Sequence, residues 1–445
     1  MEPPEKLFSA SALRHLEESA RQVLRENDAG RFTEPGPRQY PHQWNWDSAF
    51  IALGLSSFDL PRALVEIRSL LDGQWKDGML PHVIYHDAQD ASYFPQASFW
   101  EVERSLFSPA CATSGITQPP VLTSVIRKIH ERYGILPFVR EVYPKLFAWH
   151  RWFMRERVLD STGLVCLAHP WESGTDDSPR WLPVMKTVHP PATSPFQRRD
   201  RTVVDASQRP YDEDYRAFVF LIELMRAHDY DWPSVLRASP FVVQDVLFNS
   251  ILYRAHADLL ALANDLGLPG AEIRGWMHRM SQGFSNRFWD EASGLFLDFD
   301  LRAQRPLPVN TIAAFAPLYA GLATQPQAER LVLGHLADPH EYAPDAITRH
   351  WVPSTSKAEP AWEAQRYWRG PIWFVTNGLV LDGLMRYEYE DFAQEFVRDT
   401  LRLALKSGFW EYYDPRDGRG LGSPRFSWSA AITLDLLLTW RTALT

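Results

Sequence analysis

Two acid-bearing stretches stand out, separated by more than half of the chain. The first, His169-Pro-Trp-Glu-Ser-Gly-Thr-Asp-Asp-Ser-Pro-Arg-Trp181, sets the carboxylates of Glu172, Asp176 and Asp177 between two tryptophans. Pro170 and Pro179 remove backbone donors, and Ser, Asp and Gly favour turns, so the stretch reads as a loop. The second, Gly408-Phe-Trp-Glu-Tyr-Tyr-Asp-Pro415, places Glu411 after Trp410 and before two tyrosines. Aromatic rings stack on the apolar faces of sugars, and a protonated carboxyl beside them can protonate a glycosidic oxygen. Hydrolysis with inversion also needs an ionised carboxylate holding a water on the opposite face. Tryptophan-lined desolvation raises the pKa of an acid, while access to solvent suits a base. Plainer readings stand beside these: solvated acids on a surface loop for the first stretch, and an arginine partner for Glu411 in the second.

Four further stretches share this character. Tyr40-Pro-His-Gln-Trp-Asn-Trp-Asp47 spaces Trp44 and Trp46 two apart just ahead of a helix. Capping alone accounts for Asp47, but so many aromatics in so short a run fit a sugar-binding wall better than packing. Gln208-Arg-Pro-Tyr-Asp-Glu-Asp-Tyr215 carries Arg209, a fixed-charge fork able to hold a carboxylate, although the acids after it equally suit a surface ion-pair cluster. Ala361-Trp-Glu-Ala-Gln-Arg-Tyr-Trp-Arg-Gly-Pro-Ile-Trp373 crowds Tyr367, Trp368 and Trp373 ahead of another helix. In Ser114-Gly-Ile-Thr-Gln118, the Gln118 amide suits sugar hydroxyls and helix capping alike.

These loops need a scaffold that brings them to one place, and the sequence supplies helices. Leu13, Leu16, Ala20, Val23 and Leu24 recur at helical spacing over 9–27. Helices are also expected from about Asp47, from Asp59, from Pro119-Pro120 to Gly134, from about 137, from Asp212, and over 240–266, 270–285, 310–323, 325–337, 372–387, 391–407 and 427–443. Phe288–Asp300 reads as a hairpin turning at Ser293-Gly294. About a dozen helices paired by short connections either stack as a solenoid or close into an (α/α)6 barrel, six helical hairpins joined as a toroid. No repeat period of a solenoid is present. The long, dissimilar loops at 30–45, 77–117, 159–211, 298–309 and 339–371 suit a barrel end that builds a pocket. An all-α toroid in one domain over 1–445 is therefore the expectation, with loops 30–43 (Gly30, Pro35, Gly36, Pro37) and 85–98 mobile and one of them a lid.

Composition excludes several alternatives. A formal net charge of −9 argues against nucleic acid as a partner. Cys111 and Cys166 are too few for a disulfide framework, and no Cys/His spacing resembles a zinc site, so neither metal nor cofactor is expected. Met1–Lys6 holds no apolar signal run, and no segment approaches the ~18 apolar residues of a membrane span. A soluble, reduced, cytoplasmic protein acting on a small-molecule glycoside, away from membranes, is the expectation, and the sequence prescribes no oligomeric state.

Taken together, the motifs resemble glycoside hydrolase family 63, in particular its bacterial hydrolases of mannosylglycerate and glucosylglycerate. The resemblance rests on Gln43-Trp-Asn-Trp-Asp-Ser, Ser114-Gly-Ile-Thr-Gln-Pro-Pro, His169-Pro-Trp-Glu-Ser-Gly-Thr-Asp-Asp-Ser-Pro, Arg209-Pro with Asp214-Tyr, Tyr367-Trp-Arg-Gly-Pro-Ile-Trp and Trp410-Glu-Tyr-Tyr-Asp. It implies an (α/α)6 barrel and inverting hydrolysis, with Asp176 as general acid and Glu411 as general base. It further implies a sugar subsite of Trp46, Asp47, Gln118, Trp171, Gly174 and Trp373. Tyr40, Trp44, Arg209, Tyr215 and Tyr367, with Trp368 in the same motif, match positions near the glycerate or a closing loop. Arg209 then gains a physical sense, as a guanidinium for a substrate carboxylate. Glucose and mannose, which differ in one hydroxyl's stereochemistry, both stay open, as does a neutral α-glucoside.

Overall fold

The computed structural model describes residues 8–36, 39–190 and 193–444, so Met1–Lys6 and Pro37 lie outside the described residues. Twelve helices alternate between an outer and an inner position. The outer helices are α1 (Ala10–Glu26), α3 (Leu60–Asp72), α5 (Leu136–Glu156), α7 (Ala271–Arg287), α9 (Gln325–Glu329, continued by wider turns over Arg330–Leu336) and α11 (Glu390–Ser407). The inner helices are α2 (Asn45–Ser56), α4 (Leu122–Tyr133), α6 (Val246–Asp265), α8 (Ala316–Ala320), α10 (Phe374–Arg386) and α12 (Ser427–Leu444).

The inner six pack in sequence order, α2 on α4, α4 on α6 and so on round to α12, and α12 packs back on α2. This is the (α/α)6 barrel. Sequence dictates which helix goes where. Outer α1 is amphipathic and buries only Leu13, Leu16, Ala20, Val23 and Leu24. Inner α2, largely apolar, is buried along its whole length, with its polar Asn45, Asp47, Ser48 and Ser56 buried too. The closing seam is close-packed: a Cβ on Gly54 of α2 would lie 2.5 Å from Ala431 Cα of α12. Asn27 after α1 donates to Ser427 Oγ at 2.8 Å, tying the two ends of the chain together.

Strands are short and belong to the connections: β1 (Gln43–Trp44) with β2 (Val83–Ile84), β3 (Val243–Gln244) with β6 (Asp298–Asp300) and β7 (Arg305–Leu307), β4 (Trp289–Asp290) with β5 (Leu295–Phe296), and β8 (Trp410–Tyr413) with β9 (Gly420–Pro424). The hairpin expected over 288–300 is β4–β5, but its last residues leave to form β6. The helix expected from 240 begins at Val246, because Val243 and Gln244 pair with Asp300 and Phe299, and Asp245 caps the helix by accepting from Phe248 N. Among the described residues no helix is long and apolar enough to cross a membrane.

Candidate active site

A narrow cavity opens among the loops at the N-terminal ends of the inner helices. Trp46 and Asp47 enter it from the first turn of α2, Gln118 from just ahead of α4, and Phe426 and Trp428 from the start of α12. Helix N-termini present partial positive charge, which favours acids and polar ligands at this end.

The three acids of the 169–181 loop have separate fates. Glu172 is fully buried, held by both Arg157 Nη atoms at 2.9 and 2.6 Å and by Ala168 N at 2.8 Å. Asp177 is gripped by Arg369 Nε and Nη2 at 3.1 and 2.8 Å. Asp176 alone of the three lines the cavity. It follows a 3-10 turn over Pro170–Ser173 and Gly174, which takes a left-handed φ of +73°. A Cβ on Gly174 would stand 2.6 Å from Trp46 Cη2, so glycine here lets the acid loop lie against the tryptophan. Burial pushes the Asp176 carboxyl up to about 7, its own backbone N–H and Arg209 pulling down and Asp177 and Glu411 pushing further up.

Glu411 reaches the same cavity from β8, where the register with β9 shifts between Trp410 and Tyr412. A bulge of this kind re-aims a side chain. Gly422 of β9 leaves room, since a Cβ there would fall 2.5 Å from Glu411 Oε2. Tyr40 OH donates to Glu411 Oε1 at 2.8 Å and Ser423 N to Oε2 at 3.2 Å, while Arg209 Nη1 lies 3.6 Å from Oε1. Burial raises the Glu411 pKa, and Arg209, Tyr40 and Ser423 oppose the rise. Asp47 is the third carboxyl in the cavity. It sits inside the first turn of α2 rather than at the N-cap, which is Trp44, and burial first, then the charge of Glu411, holds its pKa well above the carboxylate range.

Arg209 is buried, contrary to a surface ion-pair cluster. Its Nε donates to Asp200 at 3.1 Å and its Nη1 to Tyr40 OH at 3.1 Å, and its Cζ stands 4.2 Å from the centroid of the Tyr367 ring. The neighbouring acids find other arginines: Asp212 pairs with Arg198 and Arg201, and Asp214 with Arg369. Tyr40, Trp44, Trp171, Tyr215 and Tyr367 all line the cavity. Trp171 and Tyr215 meet edge to face at 5.9 Å, and Trp44 takes the edge of Tyr40 at 5.1 Å. Gln118 accepts from Trp46 N at 3.2 Å, so its amide both anchors α2 and faces the cavity.

Two expected wall residues lie one layer back. Trp368 and Trp373 stack face to face at 3.7 Å, Trp373 also stacks on Tyr412 at 4.4 Å, and Trp373 Nε1 donates to Tyr367 O at 3.0 Å. They back Trp46 and Tyr367 and do not line the cavity, because two flat indoles gain more from stacking on one another in the core than from facing water. The lining is completed by Pro210 of the Arg209-Pro motif and by residues that the motifs did not single out: His82, Tyr93, Phe94, Asp200, Phe426 and Trp428. Asp200 had a signal, a lone acid inside Arg198-Arg-Asp-Arg201. Trp428 repeats at the start of α12 what Trp46 does at the start of α2, and its Nε1 donates to Glu411 O at 3.1 Å. His82 is held neutral, burial lowering its pKa to about 3. Tyr93 belongs to the 85–98 loop and meets Trp44 edge to face at 5.1 Å; the same loop touches the 30–43 loop through stacked Phe32 and His86, 4.1 Å apart.

Carboxyls on facing loops, aromatic walls and a ring of six helical hairpins define a helical-toroid glycoside hydrolase. Comparison with known proteins agrees. The chain belongs to the family described as the mannosylglycerate hydrolase MGH1-like glycoside hydrolase domain, whose model matches residues 40–429. A mannosylglycerate hydrolase from Thermus thermophilus is 42% identical over 418 residues, 93% of this chain and 98% of that one. A glucosylglycerate hydrolase from Mycolicibacterium hassiacum is 35% identical over 431 residues, 93% and 96% of the two chains. The crystal structure of a GH63 mannosylglycerate hydrolase from Thermus thermophilus in complex with Tris and D-glycerate is similar at a TM-score of 0.89 and 41% identity, covering 94% of this chain and 99% of that chain.

Proposed function

We propose that this chain is an inverting hydrolase of a 2-O-α-glycosyl-D-glycerate, mannosylglycerate or glucosylglycerate, releasing free sugar and glycerate. The observation that carries the reading is the meeting, in one aromatic cavity, of Asp176, Glu411 and the buried guanidinium of Arg209. Asp176 is the general acid: raised to about 7, it holds a proton for the leaving oxygen near neutral pH. Glu411 is the general base: with Tyr40 and Ser423 donating to its two oxygens and Arg209 close by, it is the better stabilised anion of the pair and activates water for attack on the anomeric carbon. Trp46, Asp47, Gln118, Trp171 and Gly174 form the sugar subsite, and Tyr40, Trp44, Arg209, Tyr215 and Tyr367 surround the glycerate, whose carboxylate Arg209 receives. The relatives named for glycerate glycosides, and the solved relative holding D-glycerate, support this choice of aglycone.

We further propose that residues 1–445 act as one catalytic domain in the cytoplasm, with neither nucleic acid nor membrane as partner. The test is a hydrolysis screen over mannosylglycerate, glucosylglycerate and neutral α-disaccharides, read by early-time NMR. Release of the β-anomer from a glycerate glycoside is expected. Turnover confined to neutral glucosides, or release of the α-anomer, defeats the proposal, and release of no sugar would leave a carbohydrate-binding toroid instead.

A further inference from the structure

Glu411 and Arg209 stand 3.6 Å apart with Tyr40 between them, its hydroxyl donating to Glu411 Oε1 at 2.8 Å while accepting from Arg209 Nη1 at 3.1 Å. Asp200 takes Arg209 Nε, and the Tyr367 ring covers the face of the guanidinium. Three neighbours thus fix the guanidinium in place. An arriving carboxylate must meet it where it stands, beside Glu411.

Resting on the function proposed above, we propose that Arg209 is a shared counter-ion: in the empty cavity it stabilises Glu411 as an anion, and on substrate binding it divides its charge with the aglycone carboxylate, so that the acidic aglycone makes Glu411 a stronger base. The other groups facing Glu411 are the carboxyls of Asp47, Asp176 and Asp200 and the hydroxyls of Tyr40, Tyr367 and Tyr412. These are neutral or negative, so the cationic support of Glu411 comes through Arg209. An opposite charge at about 4–6 Å holds a carboxyl down by roughly 1–3 pH units, and offsetting that charge returns part of the difference. Arg209 also acts on Asp176, so the same sharing helps Asp176 keep its proton in the complex. Recognition of the acidic aglycone and preparation of the acid–base pair become one event. A neutral aglycone, filling the same space, would leave Glu411 held by the full charge of Arg209.

The pH profiles test this, because kcat/KM reports the free enzyme and kcat the complex. In the wild type the acidic limb of kcat on a glycosylglycerate should lie about one pH unit above that of kcat/KM. In Arg209→Gln the two limbs should coincide near the wild-type kcat limb. A second readout needs no turnover: titration of the Glu411 carboxyl by 13C NMR in glutamate-labelled protein, with Glu411→Gln to assign the signal. D-glycerate should raise the midpoint and glycerol should not. Coincident limbs in the wild type, a gap that persists in Arg209→Gln, or a Glu411 midpoint indifferent to D-glycerate would each overturn the inference. Absence of glycosylglycerate hydrolysis would defeat the proposed function instead, while the NMR titration would still decide this one.

Discussion

The 169–181 loop and the β8–β9 ribbon each deliver one carboxyl to the cavity, and they treat it in opposite ways. Asp176 comes from a run of tight turns in which the other acids are spent on arginines, Glu172 on Arg157 and Asp177 on Arg369. Among the described residues no side-chain donor bonds Asp176, and its pKa rises to about 7. Glu411 comes from a bulged strand and accepts from Tyr40 and Ser423 with Arg209 alongside. Burial raises the pKa of both. On the roles proposed above, the difference between acid and base is made by donors, which one region withholds and the other supplies.

Substituting the two carboxyls tests that difference most strongly. Asp176→Asn and Glu411→Gln should each lower kcat on a glycosylglycerate by about 10²–10⁴-fold, the usual reach of acid–base catalysis. On an α-glycosyl fluoride, whose leaving group needs little protonation, Asp176→Asn should recover most of the loss and Glu411→Gln none. Equal behaviour of the two variants on the fluoride would break the assignment. The next effect is the alkaline limb. As the proposed general acid, Asp176 acts only while protonated, so activity should hold below about 7 and fall as pH rises through it. The same shift has a cost in stability. A carboxyl with a raised folded pKa binds a proton that the unfolded chain has released, so stability falls as pH climbs from the ordinary Asp value toward 7. Asp176→Asn should therefore raise Tm by a few degrees at pH 8 and by less at pH 4 in calorimetry, trading function for stability.

The fold was legible because most of its helices announce themselves by period, and their pairing in order leaves a closed ring as the simplest burial of the inner, largely apolar members such as α2. The candidate site was legible where chemistry is concentrated in a loop motif, as at Trp46, Asp47, Asp176 and Glu411, all of which face the cavity. It was not legible where topology assigns the role. Nothing in the spacing of Trp368 and Trp373 distinguishes an indole on the wall from one stacked behind it. Asp200 is a surface acid by composition and becomes the partner of Arg209 only because its loop folds across the cavity. The strand that bears Glu411 is too short for an alternation pattern, so its bulge appears only in the paired register with β9.

Two glycines extend the comparison at smaller scale. An alanine at Gly422 (φ +71°) would press its Cβ to 2.5 Å from Glu411 Oε2, whereas one at Gly174 (φ +73°) would meet Trp46 at 2.6 Å. Both pay a left-handed backbone penalty of about 1–2 kcal/mol, so a similar drop in Tm is expected. Their kinetics should differ. Gly422→Ala disturbs the proposed base and should lower kcat about tenfold, roughly 1.4 kcal/mol of barrier, with KM little changed. Gly174→Ala displaces Trp46 of the proposed sugar subsite and should raise KM as well. A rise in KM for Gly422→Ala alone would mean that the β8–β9 ribbon binds sugar rather than positioning the base.

The smallest expected effect belongs to the tryptophans behind the wall. Trp368 is buried, and its Nε1 has no hydrogen-bond partner among the described residues, so replacing it with Phe removes an unsatisfied donor together with some stacking area. Those effects oppose each other, and the change in Tm should stay within about 1 kcal/mol of stability, the range of one aromatic pair. Because Trp368 meets the cavity through Trp46 and Tyr367, each 6.3 Å away between ring centroids, and does not line it, KM should change by less than about threefold, under the 1.4 kcal/mol of a tenfold step. Trp46→Phe removes ring surface from the cavity itself and should raise KM well beyond that. If Trp368→Phe raised KM as much as Trp46→Phe, both indoles would have to reach the sugar, and the wall would be two layers that open together when substrate enters.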